Sequence, residues 1–80
     1  MGKVATLFKV YSDEADGLLQ RVRAMEPRPT SVQLEEIGFG IKVIKVMFVH
    51  EDQDGSTSYE DALRKLSGVK DVEVEEESLL

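Results

Sequence analysis

The spacing of apolar side chains divides the first third of the chain into a strand and a helix. Residues 4–11 alternate between two sets of side chains as a strand does, with every second side chain on the same face. Residues 13–25 repeat apolar side chains at helical spacing, and Ser12 or Asp13 is expected to cap this helix. Two prolines within residues 26–29 end it, because proline disfavours helix at the residue before it.

The remaining two thirds predict three strands and a second helix. A short strand over residues 31–36 is interrupted at residues 37–40 and followed by a longer strand over residues 41–50, which is rich in β-branched side chains. Residues 58–67 repeat apolar side chains as an amphipathic helix does. Residues 69–75 alternate again and predict the last strand.

The resulting order of elements, β-α-β-β-α-β, restricts the topology. Each β-α-β connection is expected to cross over with a right hand, and two interlocked connections of this kind give the ferredoxin-like sandwich. We therefore predict an α+β fold in a single domain over residues 1–80. Its four-stranded antiparallel sheet has the order 4-1-3-2, with both helices on one face.

The two faces of this sheet are expected to differ. Lys45, in the middle of the third strand, marks one face as solvated, and Lys9 lies on the same face. Asp71 and Glu73 of the last strand are expected to offset these charges there. The helix-covered face supplies the expected core, which consists of Phe8, Val10, Leu18, Val22, Ile44, Val46, Phe48, Leu63, Leu66, Val72 and Val74.

Composition and charge narrow the class of protein. The chain has 80 residues, of which 41% are hydrophobic and 32% charged, as in a small globular domain. It contains no cysteine, which excludes a disulfide framework and a thiolate metal site. Its net charge of -6 opposes nucleic-acid binding and favours a basic patch on another protein. The longest apolar run, residues 46–49, is too short for a membrane span, and we expect a cytoplasmic protein that is monomeric when free.

The sequence offers little that looks catalytic or metal-binding, so we expect no enzymatic activity, no cofactor and no bound metal. The single histidine, His50, closes a strand and is interpreted as an exposed strand-end residue. Asp52 and Asp54, followed by Gly55, are similar to the start of a calcium loop, but further acidic ligands of such a loop are missing. The two glycines within residues 38–40 lack the rest of a dinucleotide fingerprint.

The most informative segment is Ile37-Gly38-Phe39-Gly40-Ile41-Lys42, in which an aromatic residue stands between two glycines. Glycine permits a sharp turn and leaves the ring between with little side-chain cover. From spacing alone, two interpretations stay open. The ring folds back onto the core, or it is presented to a partner.

This segment, followed by a β-rich strand and by Val49-His50-Glu51-Asp52, resembles the exchange domain of the elongation factor 1-beta family, whose archaeal members are short chains like this one. The likeness covers nearly the whole chain. It implies the ferredoxin-like fold and the release of GDP from elongation factor 1-alpha so that GTP can bind. In eukaryotic members the aromatic residue between the glycines enters a pocket in the second domain of the G protein, which implies that role for Phe39. The partner-binding residues expected here are Gly38, Phe39, Gly40, Ile41 and Lys42.

The resemblance also implies a second contact, from the last residues of the chain to the nucleotide domain near its magnesium ion. Those residues are Ser78, Leu79 and Leu80. Eukaryotic members have a lysine at the next-to-last position, where this chain has Leu79. A leucine delivers no charge, so under the family mechanism the magnesium region must be displaced by backbone or apolar contacts.

Two other functions share the predicted fold. A small regulatory or ligand-binding domain, dimeric through the open sheet face, is supported by Leu7, Val43 and Met47 on that face. An enzyme of the acylphosphatase type needs an arginine in a loop after the first strand, where this chain has the acidic segment Ser12-Asp13-Glu14. We discount the enzyme and keep the regulatory domain as the alternative to exchange.

Overall fold

Four strands and two helices follow each other in the predicted order. The computed structural model describes residues 2–52, 55 and 57–80. The elements are β1 (Lys3–Tyr11), α1 (Ala15–Arg23), β2 (Ser31–Gly38), β3 (Ile41–Glu51), α2 (Thr57–Arg64) and β4 (Asp71–Leu79). Every neighbouring pair of strands is antiparallel and the sheet order is β2-β3-β1-β4, which is the predicted order read from the other edge. The ferredoxin-like α+β fold is thus confirmed.

Both helices are shorter than predicted. α1 begins at Ala15 and no side chain caps its N-terminus, so the predicted cap is wrong. Ser12 Oγ instead accepts a hydrogen bond from the backbone N–H of Glu14 at 3.0 Å, in the turn before the helix. Met25 is buried beyond the end of α1, and Leu66 packs against the core beyond the end of α2. Within the part of the chain that the structure describes, no helix has the length and apolar character needed to span a bilayer.

The core lies between the two helices and one face of the sheet. β1 and β3 are the central strands, and nearly every second residue of each is buried on that face. The rings of Phe8 and Phe48 meet edge to face with centroids 5.9 Å apart, an arrangement that aromatic pairs favour. Leu66 is partly buried and packs against this core. The predicted core residues that the structure buries are Phe8, Val10, Leu18, Val22, Ile44, Val46, Phe48, Leu63 and Val72.

β4 departs from the prediction at a bulge. Its pairing with β1 shifts between Leu7 and Phe8, so that one extra residue, Glu75, is accommodated between Val74 and Glu76. Val74 lies opposite Phe8 but is 45% exposed, and its assignment to the core is wrong. Val74 directly precedes the bulge of this edge strand, whereas Val72, two residues earlier on the same strand, is buried.

The solvated face carries a cluster of opposite charges beside this bulge. The Nζ atoms of Lys9 and Lys45 lie 3.4 and 3.0 Å from the carboxylate of Glu75, and Lys45 also lies 3.6 Å from Glu35 of β2. The hydrogen bond from Lys45 lowers the pKa of Glu75, and the same bond raises the pKa of Lys45. This cluster connects all four strands across the open face.

Asp71 and Glu73, the acidic partners predicted for the two lysines, make other contacts. Asp71 lies 3.3 Å from Arg64 of α2, and Glu73 accepts a hydrogen bond from the Tyr11 hydroxyl at 3.2 Å. Glu73 is the register partner of Lys9, but both lysines contact the carboxylate of Glu75, which shares the solvated face with Asp71 and Glu73 by the same alternation.

Candidate partner-binding site

A two-residue turn, Phe39-Gly40, joins β2 to β3, and Gly38 pairs with Ile41 across its base. Both turn residues have positive φ, 56° at Phe39 and 75° at Gly40, as a type I′ hairpin turn requires. Glycine adopts such a backbone without steric cost, but a bulky side chain rarely does, and holding one there costs about 1–3 kcal/mol. Local stability therefore does not explain why an aromatic residue occupies this turn.

The hairpin tip, defined as residues 37–41, presents three apolar side chains to solvent. The Phe39 side chain is fully exposed, with a relative area of 103%, and Ile37 and Ile41 beside it are half exposed. A break in the pairing register between Glu36 and Gly38 takes Ile37 out of the ladder. The ring does not fold back onto the core, so that interpretation is wrong. Ile37 was absent from the predicted site, although an apolar residue directly before the first glycine is a visible signal.

Lys42 connects the base of the hairpin tip to the first turn of α1. Its Nζ lies 3.2 Å from Oδ2 of Asp16, and both side chains are exposed. A shallow groove beside this pair is lined by residues 12–17 and 40–42. Exposed ion pairs contribute little stability, so we expect this contact to add little to the stability of the fold.

The last residues of the chain continue β4 instead of forming a loose tail. Leu79 pairs with Val4 of β1, and the backbone N–H of Leu80 donates to the carbonyl oxygen of Lys3 at 2.8 Å. Ser78 lies opposite Ala5 in the same ladder. The side chains of Leu79 and Leu80 are 78% and 72% exposed. The backbone of this segment is thus held while its two leucines face solvent.

The structure does not bring the two predicted contact regions together. The hairpin tip lies beyond the end of β1 at Tyr11, which pairs with Val43, whereas Leu79 pairs with Val4 near the other end of β1. Seven residues of strand separate these positions, which at about 3.3 Å per residue corresponds to about 23 Å. The longest dimension of the molecule is 41 Å. One partner can contact both regions only through two separate surfaces.

His50 is not the exposed strand-end residue that the sequence suggested. It is 6% exposed, its ring stacks on Tyr59 of α2 with centroids 4.9 Å apart, and it is hydrogen-bonded to Thr6. No local pattern indicated this burial, because Thr6 and Tyr59 come from other elements. Asp52 is exposed, while Asp54 lies outside the described residues. Among residues 2–52, 55 and 57–80, no group of three or more possible ligands could hold a metal ion.

The fold and this surface define a ferredoxin-like domain with an exposed aromatic ring, a kind of side chain that is enriched where protein–protein binding energy concentrates. A family model described as the EF-1 guanine nucleotide exchange domain matches residues 7–80. The chain belongs to this family, and its function is guanine-nucleotide exchange in translation elongation.

Individual relatives match along the whole chain. An elongation factor 1-beta from Methanosphaerula palustris is 40% identical over 84 aligned residues, which cover 99% of each chain. Elongation factor 1-beta proteins from Aeropyrum pernix and Methanospirillum hungatei are 36% and 32% identical; the alignments cover 94% and 100% of this chain and 93% and 100% of theirs. The predicted family is thus confirmed. These likenesses concern the chain as a whole, so the roles of individual residues stay predictions.

Proposed function

We propose that this chain promotes GDP release and GTP loading on elongation factor 1-alpha by seating Phe39 in an apolar pocket of that G protein. The observation that carries the proposal is the full exposure of Phe39 on a turn whose backbone disfavours a bulky side chain. An aromatic ring left in water loses hydrophobic free energy that burial in a partner would recover. Ile41, half exposed beside it, enlarges the contact, while Gly38 and Gly40 permit the turn.

Exchange on this account needs no bond chemistry in the protein itself. The chain must bind the nucleotide-free G protein more tightly than the nucleotide-bound form. Linkage then requires that it weaken nucleotide binding by the same factor. We therefore expect a factor that acts by differential protein contact, without a cofactor, a bound metal or a catalytic side chain.

The second contact in this proposal is made by Ser78, Leu79 and Leu80. These residues end an edge strand, and their backbone is fixed by pairing with β1. The two exposed leucines suit an apolar surface and cannot act as a charged wedge. The magnesium region of the G protein would then be disturbed by apolar and backbone contacts, applied about 23 Å or more from the Phe39 anchor.

The remaining expectations about partners follow from charge and family. A net charge of -6 disfavours direct contact with nucleic acid, whose backbone attracts basic surfaces. We expect the 80 residues to act as one domain that is monomeric when free, works in the cytoplasm with the translation machinery and does not bind membranes.

The alternative, a regulatory domain that dimerises through the open sheet face, has less apolar surface than the sequence suggested. Val43 is fully buried, because it lies in the ladder between Tyr11 and Glu35, whose longer side chains stand on the same face. Leu7 and Met47 are half buried. The charged cluster of Lys9, Lys45, Glu35 and Glu75 occupies the middle of that face.

Release of labelled GDP from elongation factor 1-alpha, measured with and without this chain, tests the proposal. We expect the release rate to rise with the concentration of the chain and to saturate. An unchanged release rate at saturating concentration would exclude exchange. Size-exclusion chromatography of the pure chain tests the alternative, since a dimer there would favour the regulatory domain.

A further inference from the structure

Both ring nitrogens of the buried His50 make hydrogen bonds at the end of the sheet where the chain finishes. Nδ1 lies 2.9 Å from the backbone carbonyl oxygen of Glu51, and Nε2 lies 3.0 Å from Oγ1 of Thr6 on β1. The Thr6 hydroxyl in turn donates to Oε2 of Glu77 on β4 at 3.2 Å. The Thr6 cluster, defined as Thr6, His50 and Glu77, therefore connects β3, β1 and β4.

The Thr6 hydroxyl decides the geometry of this cluster. It has a single proton, and while that proton is donated to Glu77, Thr6 can only accept from Nε2 of His50. The ring nitrogen that fills the acceptor side of the hydroxyl thus directs its proton toward Glu77.

The other ionisable groups around the ring come from three elements. Tyr59 of α2 stacks on the imidazole with an interplanar angle of 29°. Glu51, next in β3, offers its backbone carbonyl, and Lys3 of β1 lies opposite Glu51 in the ladder. Among the described residues, Glu77 is thus the carboxylate that is connected to the imidazole through the Thr6 hydroxyl.

Glu77 directly precedes the segment proposed above as the second contact with the G protein. The end of an edge strand is paired on one side only and frays more readily than the strand centre. A side-chain hydrogen bond at Glu77 therefore limits the motion of Leu79 and Leu80, whose backbone bonds to β1 are the last of the ladder.

We propose that Thr6 and His50 are positioning residues for exchange: the contact of His50 with Thr6 directs the Thr6 hydroxyl to Glu77 and so holds the end of β4 in place for the G protein. The inference rests on the proposed contact of Ser78, Leu79 and Leu80 with that partner.

The first test follows hydrogen exchange in the free protein by NMR. We expect the protection factors of the amides of residues 77–80 to be severalfold lower in Thr6→Val than in the parent chain, because the hydroxyl that holds Glu77 is removed. Thr6→Ser, which keeps the hydroxyl, is expected to retain the protection of the parent chain. Protection that is unchanged in Thr6→Val overturns the inference.

A matched pair of exposed glutamates controls for charge and for folding. Glu77→Gln removes the charge that accepts the Thr6 proton, whereas Glu76→Gln removes the same charge from the residue beside it, which lies opposite Leu7. Both positions are exposed, so both variants are expected to fold. The protection of residues 77–80 must fall in Glu77→Gln and persist in Glu76→Gln; equal behaviour of the two variants counts against the cluster.

The second test measures GDP release as a function of the concentration of the chain. We expect Thr6→Val to raise the half-saturating concentration about three- to tenfold, the range for loss of one hydrogen bond, and Thr6→Ser to restore the parent value. If the parent chain does not accelerate release, the proposed function fails. If the parent does and Thr6→Val matches it at every concentration, the positioning role alone fails.

Discussion

Phe48 and Phe39 are the same residue type in the same β-hairpin, and the molecule uses them in opposite ways. Phe48 lies in the middle of β3, almost fully buried, with its ring centroid 5.9 Å from Phe8 and 4.8 Å from Tyr59. Phe39 lies in the turn that opens the same strand and is fully exposed. The alternation of β3 places the ring of Phe48 in the core. The turn, which Gly40 completes, places the ring of Phe39 in solvent. One therefore stabilises the fold, while the other remains available to a partner.

The largest effect is expected at the buried ring. Phe48→Ala removes contacts with two other aromatic rings and leaves a cavity, which should lower the free energy of unfolding by about 3–5 kcal/mol. Chemical denaturation monitored by circular dichroism measures this loss. Because a domain of this size has a total stability of only about 5–15 kcal/mol, this loss is a large part of the total. Phe48→Leu keeps most of the side-chain volume and serves as a milder companion variant. A loss near zero in Phe48→Ala would show that the ring is not part of the core.

The exposed ring should give the reverse result. Phe39→Ala is expected to change the free energy of unfolding by less than about 1 kcal/mol, as is usual for exposed positions. The same change should weaken binding to elongation factor 1-alpha at least about tenfold, or ~1.4 kcal/mol, because it removes the proposed anchor. Denaturation and GDP-release assays on the same protein measure the two effects.

Val49→Ala is the matched control for Phe39→Ala. Val49 is an exposed apolar residue toward the other end of β3, so its truncation removes hydrophobic surface away from the hairpin tip. Its effect on the half-saturating concentration should be small. The comparison between the two phenylalanines breaks down if Phe39→Ala unfolds the protein, or if its exchange activity equals that of the parent chain.

A smaller effect is expected at the glycine that completes the turn. Gly40 has a φ of 75°, and a Cβ added there would meet no heavy atom within 4 Å, so Gly40→Ala tests the backbone conformation alone. We expect a loss of about 1 kcal/mol in unfolding free energy. Gly17→Ala in α1 also meets no atom within 4 Å but lies in a helix, where alanine should stabilise by about 0.5–1 kcal/mol. Equal signs for the two substitutions would contradict the role assigned to the turn.

Features that depend on local periodicity were predictable from the sequence. Alternation in β1 and β3 gave their buried faces, and the order of elements gave the sheet topology through the handedness of the crossovers. Gly38 and Gly40 around Phe39 gave the candidate site, since positive φ favours glycine.

Features that depend on distant neighbours were not predictable in this way. The bulge opposite Leu7 and Phe8 shifts the register of β4 so that Thr6 pairs with Glu77, and nothing in the alternation of β4 indicates this shift. The burial of His50 requires Tyr59 from α2, which the chain reaches only after a turn. For Ile37 only the residue type before Gly38 was a signal, and the irregularity of the hairpin that takes it out of the ladder could not be foreseen.

The smallest effect is expected on the solvated face, at Glu75. The hydrogen bond from Lys45 lowers the pKa of Glu75 below its ordinary 4.5, so the contribution of this carboxylate to stability is complete above about pH 5 and is lost as pH falls through the folded-state pKa. The raised pKa of Lys45 keeps the pair charged up to its ordinary 10.5 and beyond. Glu75→Gln should therefore lower the stability slightly at pH 7, less so at pH 3 and in high salt, because the cluster is partly exposed. Glu76→Gln removes the same charge outside the cluster, and equal losses for both variants at pH 7 would show that Glu75 contributes only its charge and not its contacts.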